Sequence, residues 1–160
     1  MTYMNTVESP LGKLILTSDG KNLTALQFEN RVELQKSWQE KDLAIFEETK
    51  TWLQQYFSGK NPQWLIPLKL EGTDYRKRVW KTLLEVPYGQ TASYKDIAQK
   101  LNASSSVKKT SARAVGGAVG KNPITIIVPC HRIIGSDHSL TGYGGGLDRK
   151  IKLLKLEKSL

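Results

Sequence analysis

Apolar and polar positions divide this chain into two stretches of different period. Over residues 1–30 short apolar runs alternate with turn residues. Val7 precedes a Ser9-Pro10-Leu11-Gly12 turn, Leu14-Ile15-Leu16-Thr17 runs to Ser18-Asp19-Gly20, and Leu23-Thr24-Ala25-Leu26-Gln27-Phe28 follows. That pattern predicts antiparallel strands joined as a hairpin or meander. Over residues 46–57 the period lengthens: Phe46, Trp52, Leu53, Tyr56 and Phe57 give one apolar helical side, and Gly59 stops it. Residues 61–72, with two prolines, read as a connector, so a domain boundary is expected near residue 72.

The remainder, residues 73–160, reads as mostly helical. Thr73 is a cap for a helix to about Glu85, with Val79, Trp80, Leu83 and Leu84 on one side. Pro87-Tyr88-Gly89 breaks it. Ser93 caps a short helix through Ile97, Ala98 and Leu101, a polar loop runs from Asn102 to Thr110, and Ser111 caps a helix over 112–120. Two short helices in succession suggest a helix-turn-helix, although the joining loop is longer than the usual three or four residues. The last helix, 147–158, has Leu147, Ile151 and Leu154 on one stripe and Glu157 at its edge. The expected fold class is therefore α+β: a small N-terminal antiparallel-sheet domain (1–72) and a mainly helical, winged-helix-like C-terminal domain (73–160).

One segment stands apart. Five β-branched residues, Ile124 to Val128, predict a short buried strand, bracketed by Pro123 and Pro129, neither of which can donate to a ladder. The chain's single cysteine, Cys130, follows, and then His131, one of two histidines. Neighbours on a strand point to opposite faces, so the two can cooperate only if the backbone bends at Pro129. Two readings of Cys130 stand here: a small buried hydrophobe, or a reactive thiol at a forced turn.

Composition adds charge. The net charge is +9, and the surplus is one-sided: residues 1–72 carry 8 basic and 9 acidic side chains, residues 73–160 carry 16 and 6. The half with Cys130 thus suits a polyanion, nucleic acid before an anionic membrane surface. There is no apolar run of membrane-spanning length, residues 1–5 lack signal-peptide character, and one cysteine allows no internal disulfide. A soluble, cytoplasmic protein is expected. One cysteine with two histidines seven residues apart matches no zinc spacing, so no metal is expected.

Nucleophilic sulfur chemistry needs a thiol, a base for its proton and a group to orient the base. Cys130, His131 and Glu157 supply each type once, and a carboxylate at the edge of an apolar stripe needs a partner such as His131 or Arg132. The helix 112–120 is rich in alanine and glycine, with Arg113 its only long polar side chain. Glycine costs about 1 kcal/mol per helical position relative to alanine, so such a helix either packs closely on another or lets a large object approach. Arg113 is then either a cation for the DNA minor groove or a buried cap on a carbonyl.

Taken together, Arg113-Ala114-Val115-Gly116-Gly117-Ala118, Asn122-Pro123, Pro129-Cys130-His131-Arg132, Gly142-Tyr143-Gly144-Gly145, Lys150, Leu153-Leu154 and Glu157 closely resemble the O6-alkylguanine-DNA alkyltransferases. The resemblance covers residues 73–158, with the first 72 matching in outline. It implies a cofactor-free, monomeric repair protein that flips an alkylated guanine out of double-stranded DNA from the minor groove and moves the alkyl group to sulfur. By motif position Cys130 is the acceptor, His131 deprotonates it through a water, Glu157 orients His131, and Asn122 pins the turn. Tyr94 contacts the flipped nucleotide and protonates the leaving guanine at N3. Tyr143 and the amide of Gly144 line the pocket, and the carbonyls of Cys130 and Ile133 accept from the base. Arg113 fills the gap in the stack, and Tyr75, Lys95, Ser111 and Ala112 complete the DNA-facing set.

This chain departs from the family pattern in its longer 102–110 loop, in Tyr75-Arg76 where Phe-Gln is common, and in Gly144 where some members have Ser. The product is a thioether without a second cysteine to resolve it, so one transfer per molecule is implied, with possible action on O4-alkylthymine as well. The rival readings are a module that binds alkylated bases without repairing them, a Cys-His hydrolase, which would need neither the basic bias nor Arg113, and a DNA-binding regulator. Alkyl transfer further requires the thiol to be ionisable and accessible.

Overall fold

The computed structural model describes residues 1–104 and 108–160. They form two compact units, Met1–Glu71 and Gly72–Leu160, in a mixed α+β architecture.

In the first unit, β1 (Tyr3–Val7), β2 (Leu14–Ser18) and β3 (Leu23–Phe28) form the expected antiparallel meander. The sequence pattern does not reveal β4 (Gln39–Glu40), two exposed residues that pair parallel to β1 and complete the order β3-β2-β1-β4. All of β2 is buried because it is flanked on both edges. Helix α1 (Ala44–Phe57) buries Ile45, Phe46, Thr49, Leu53 and Tyr56, and Gly59, at φ +94°, ends it. Trp52 stacks on Tyr56 at 5.5 Å, so this aromatic side is core.

The second unit is built on α2 (Asp74–Leu83), α3 (Tyr94–Asn102) and α4 (Ala112–Val119), which pack on one another in a helix-turn-helix arrangement. The expected caps are present. Thr73 accepts from Arg76 N, Ser111 accepts from Ala114 N, and Ser93 forms a reciprocal capping box with Asp96. Trp80 Nε1 donates to Ala118 O at 2.8 Å, pinning α2 to α4. Leu84, expected on the apolar side of α2, is exposed, because the helix ends at Leu83 and the chain turns there. In the 102–110 loop, Asn102 Nδ2 donates to Thr110 O and Asn102 Oδ1 accepts from Thr110 N, which closes the loop at its base; residues 105–107 lie outside the described residues.

The expected strand at 124–128 is instead a turn. Ile127 N donates to Thr125 O and Val128 N to Ile124 O, bonds that fold the chain back on itself rather than along a ladder. Ile126 sits at φ +70° while 1% exposed. A β-branched residue in the left-handed region costs on the order of 1–3 kcal/mol, so burial of its side chain and the surrounding bonds hold the turn against local preference. Beyond it, β5 (Ala92–Ser93) and β6 (Ile133–Ile134) make a two-residue parallel pair that was not expected from the pattern. Helix α5 (Leu147–Leu156) buries Lys150, Leu153 and Leu154, while Leu147 is exposed. Its inward face therefore runs through 150, 153, 154 and 157, one step round from the expected stripe.

Candidate active site

Asn122 organises the turn that carries the thiol. Its amide N donates to Val119 O at the end of α4, its Oδ1 accepts from Ile124 N at 3.0 Å, and its Nδ2 donates to Val128 O at 2.9 Å. The buried side chain thus ties the two ends of the segment together, and the main chain of the same residue ties them to α4. Pro129 then bends the chain (φ −81°, ψ 63°), and Cys130–Arg132 form a single 3-10 turn. The expected bend is present; it follows a turn and not a strand.

Behind this turn lies a buried charged array. Glu157, just past the end of α5, accepts from Arg132 Nε on Oε1 at 2.7 Å and from Arg132 Nη2 on Oε2 at 3.1 Å. Its Oε2 also lies 2.7 Å from His131 Nε2. The third arm of Arg132, Nη1, donates to Val86 O at 2.8 Å, and the guanidinium lies 5.7 Å from the Tyr88 ring centre. Gly89, at φ +80°, lets the following turn approach Glu157 O, where a Cβ would lie at 3.4 Å. Burial alone raises the carboxyl pKa, but hydrogen bonds from His131 and Arg132 outweigh it and hold Glu157 at about 2.

An ionised carboxylate only accepts, so His131 Nε2 carries the hydrogen. Burial lowers the imidazole pKa, keeping the ring neutral, and its lone pair is therefore on Nδ1. That Nδ1 is buried and has no hydrogen-bond partner among the described residues. The array thus delivers a neutral imidazole with an unused acceptor, beside Cys130, and a carboxylate placed to stabilise imidazolium.

Cys130 is 7% exposed, more enclosed than a freely accessible thiol. Burial pushes its pKa up, opposed by side-chain hydrogen bonds from Asn122 and Thr125 and by the positive charge of Lys150. The resting sulfur is a thiol, and ionisation awaits a base. Lys150, on α5, is fully buried, with Nζ donating to Ile133 O at 2.5 Å and Thr141 O at 3.0 Å. Burial lowers its pKa to about 8, and proximity to Cys130 raises it in part. In the sequence Lys150 stands out only as part of a motif. The signal was its spacing, seven residues before Glu157, which puts two charges on one buried helical face.

The remaining candidates fall into two groups. In the first, Tyr94 Oη is 2.8 Å from Thr141 Oγ1, and its ring lies over Gly116, where a Cβ would meet it at 3.7 Å. Tyr143 Oη hydrogen-bonds to Thr125 Oγ1. Gly144 is exposed in the glycine-rich loop, and the carbonyls of Cys130 and Ile133 already accept from Ile133 N and Lys150 Nζ. In the second, Arg113, Ser111, Ala112 and Lys95 are exposed, which removes the reading of Arg113 as a buried cap. Arg113, Ala114 and Gly117 share the open side of α4, and nothing lies within 4 Å of a Cβ built on Gly117. Ser111 Oγ is engaged in the cap, and Tyr75 Oη is 2.6 Å from Thr110 Oγ1, so neither hydroxyl is idle.

A buried thiol, a neutral histidine held by a carboxylate and guanidinium, and an adjoining open helix with one cation are the parts that cysteine-nucleophile chemistry needs, carried on a helix-turn-helix. Comparison with known proteins agrees. Residues 74–159 match the family described as 6-O-methylguanine DNA methyltransferase, DNA binding domain, and residues 2–70 match 6-O-methylguanine DNA methyltransferase, ribonuclease-like domain. The methylated-DNA–protein-cysteine methyltransferase of Methanosarcina barkeri is 46% identical over 160 residues, covering 98% of each chain. The crystal structure of Mycobacterium tuberculosis OGT in complex with DNA superposes with a TM-score of 0.86 at 45% identity, covering 98% of this chain and 93% of that one. A Methanococcus jannaschii O6-methylguanine DNA methyltransferase structure matches at TM-score 0.64 and 27% identity, over 96% and 93% of the two chains. The chain belongs to the O6-methylguanine-DNA methyltransferase family.

Proposed function

We propose that this protein repairs double-stranded DNA by moving the alkyl group of O6-alkylguanine onto Cys130, once per molecule. The observation that carries this reading is the Arg132–Glu157–His131 array, which keeps imidazole Nδ1 proton-free beside the only cysteine. His131 Nδ1 takes the thiol proton, through a water, and Glu157 stabilises the imidazolium. The sulfur attacks the alkyl carbon, the carbon–O6 bond breaks, and its electron pair stays on guanine. Tyr94 protonates guanine N3, and the proton held by His131 restores the tyrosine. Net, the thiol proton ends on the base and the alkyl group on sulfur. A thioether does not hydrolyse, so the protein is consumed.

The enclosed thiol needs the base brought to it, which supports flipping of the nucleotide out of the stack. The open, small-residue side of α4 supports close approach to the DNA minor groove, with Arg113 in the space left by the base and Lys95, Ser111, Ala112 and Tyr75 along the flanking backbone. Tyr143, Gly144 and Ile133 line the base pocket in this reading. The domains divide this labour, 73–160 carrying DNA and chemistry, 1–72 carrying neither His nor Cys. We take the protein to act as a monomer in the cytoplasm, where a free thiol stays reduced. No helix among the described residues is long and apolar enough to cross a membrane.

The test is direct. Incubation with duplex containing O6-methylguanine, followed by digestion and mass spectrometry, should add about 14 Da, a methyl in place of a hydrogen, to the peptide holding Cys130. Cys130→Ala should show no adduct. Tight binding of the lesion without any adduct on the unaltered protein would overturn transfer and leave a binding module.

A further inference from the structure

Thr141 has no part in the chemistry described so far, yet it bonds to two residues of the site through two different atoms. Its Oγ1 lies 2.8 Å from Tyr94 Oη, and its main-chain oxygen accepts from Lys150 Nζ at 3.0 Å. The second bond anchors the first. Lys150 is fully buried and the same Nζ also donates to Ile133 O, so one ammonium ties Thr141 to the residue that follows the thiol-bearing turn. Ile133 N in turn donates to Cys130 O. The place of the Thr141 hydroxyl is thus set, bond by bond, from the main chain of Cys130.

Tyr94 is held at its other end. It opens α3 directly after the Ser93–Asp96 capping box, and its ring lies over Gly116 of α4. A contact on the flat of a ring fixes the ring and leaves the hydroxyl hydrogen free to rotate. Thr141 Oγ1 is the group at hand to fix that hydrogen.

We propose that Thr141 is the positioning residue of the general acid: its hydroxyl donates to Tyr94 Oη, which leaves the tyrosine hydrogen for guanine N3 and stabilises the phenolate formed when that hydrogen departs. This inference rests on the alkyl-transfer reading, in which Tyr94 is the acid. Each hydroxyl has a single hydrogen. If Tyr94 gives its own to N3, its oxygen can meet Thr141 only as an acceptor, so Thr141 must donate. As the carbon–O6 bond breaks, the proton passes from Tyr94 to N3 and the tyrosine oxygen becomes anionic. The bond from Thr141 is then charge-assisted, roughly twice as strong as a neutral one. An interaction that strengthens as the reaction proceeds lowers the barrier, whereas one of constant strength does not. Thr141 keeps its own proton throughout, and the proton held by His131 restores the tyrosine.

The experiment is single-turnover methyl transfer from O6-methylguanine duplex, followed over a range of protein concentration. Thr141→Val keeps the main-chain bond to Lys150 and replaces the hydroxyl with a methyl of similar size. It should slow transfer at saturation roughly tenfold to a hundredfold, the worth of a hydrogen bond to a charged group, and leave the half-saturating concentration unchanged. Thr141→Ser should return the rate to within about threefold of the parent. In a Tyr94→Phe background Thr141→Val should add little, because the oxygen it serves is gone.

An unslowed Thr141→Val, a loss confined to the half-saturating concentration, a loss shared by Thr141→Ser, or full additivity with Tyr94→Phe would overturn the proposal in favour of packing. A faster Thr141→Val would overturn it too, by making the bond a restraint that transfer has to break. Were Thr141→Val to lose its fold, Thr141→Ala, which removes the hydroxyl without inserting a methyl in its place, would be read in the same way. Methyl transfer by the parent with an unslowed Thr141→Val refutes this role alone, whereas no adduct on the parent refutes alkyl transfer and this role with it.

Discussion

The two units of this chain bury different things. The buried polar residues of Met1–Glu71 are Asn5, Thr17, Ser18 and Thr49, all uncharged. Those of Gly72–Leu160 include His131, Lys150 and Glu157, with Cys130 among them and Ile126 at a positive φ. Outside β4, the first unit follows local rules: short apolar runs between turns give strands, a longer period gives a helix, and glycine ends it. The second breaks those rules within one neighbourhood. Buried charge and backbone strain both reduce stability unless surrounding contacts compensate, so their concentration around one sulfur marks where structure has been committed to chemistry.

The contrast can be broken experimentally, and the largest effect should come from the charged array. Glu157→Ala leaves Arg132 and His131 buried without their carboxylate and should cost about 3–5 kcal/mol, read by denaturant unfolding, with methyl transfer falling to near background. In the first unit, Leu26→Ala should cost a similar roughly 3 kcal/mol by emptying core volume. If Glu157→Ala proved harmless to stability, the array would not be a buried, mutually dependent cluster.

Acid should separate the units next. Glu157 is held at about 2 against an ordinary 4.5, so its contribution to stability is complete above pH 4.5 and is lost as pH falls toward 2. His131 is pushed below its ordinary 6.5, so the unfolded chain takes up that proton first, and stability starts to fall below pH 6.5. Melting temperature followed from pH 7 to pH 3 should therefore decline in two stages, and Glu157→Gln should remove the lower one. A flat profile in the parent protein would contradict the assigned charge states.

Ile126 offers a change of sign. At an ordinary buried strand position glycine is less stable than alanine by about 1 kcal/mol, as expected for Ile15. At φ +70° the order should reverse, Ile126→Gly being more stable than Ile126→Ala by about 1 kcal/mol, although both fall below the parent. The same order at both sites would mean that the turn relaxes and stores no strain.

The smallest effect on stability is expected at Arg113. Arg113→Ala removes an exposed side chain and should change unfolding by less than about 0.5 kcal/mol. It should keep reaction with free O6-benzylguanine while slowing reaction on duplex. Equal slowing on both would make Arg113 a structural residue.

Much of this molecule was legible along the chain. The meander at Tyr3–Phe28, helix α1, and the caps at Thr73, Ser93 and Ser111 follow from periodicity and capping chemistry, which depend on residues a few positions apart. The need of Glu157 for His131 or Arg132 was also legible, because a carboxylate at an apolar edge must be paired. What tertiary contact decided lies where local preference was overruled. The β-branched run at Ile124–Val128 favours a strand, and Asn122, bonded to both ends, closes it into a turn. Lys150 looks like a surface cation until the carbonyls of Ile133 and Thr141 are brought to it across 17 and 9 residues. Thr125 looks like another β-branched packing residue until Tyr143 arrives from a distant loop. A periodic pattern records which face of an element is apolar; the partner that satisfies a buried polar group comes from elsewhere in the chain, and only folding brings it there.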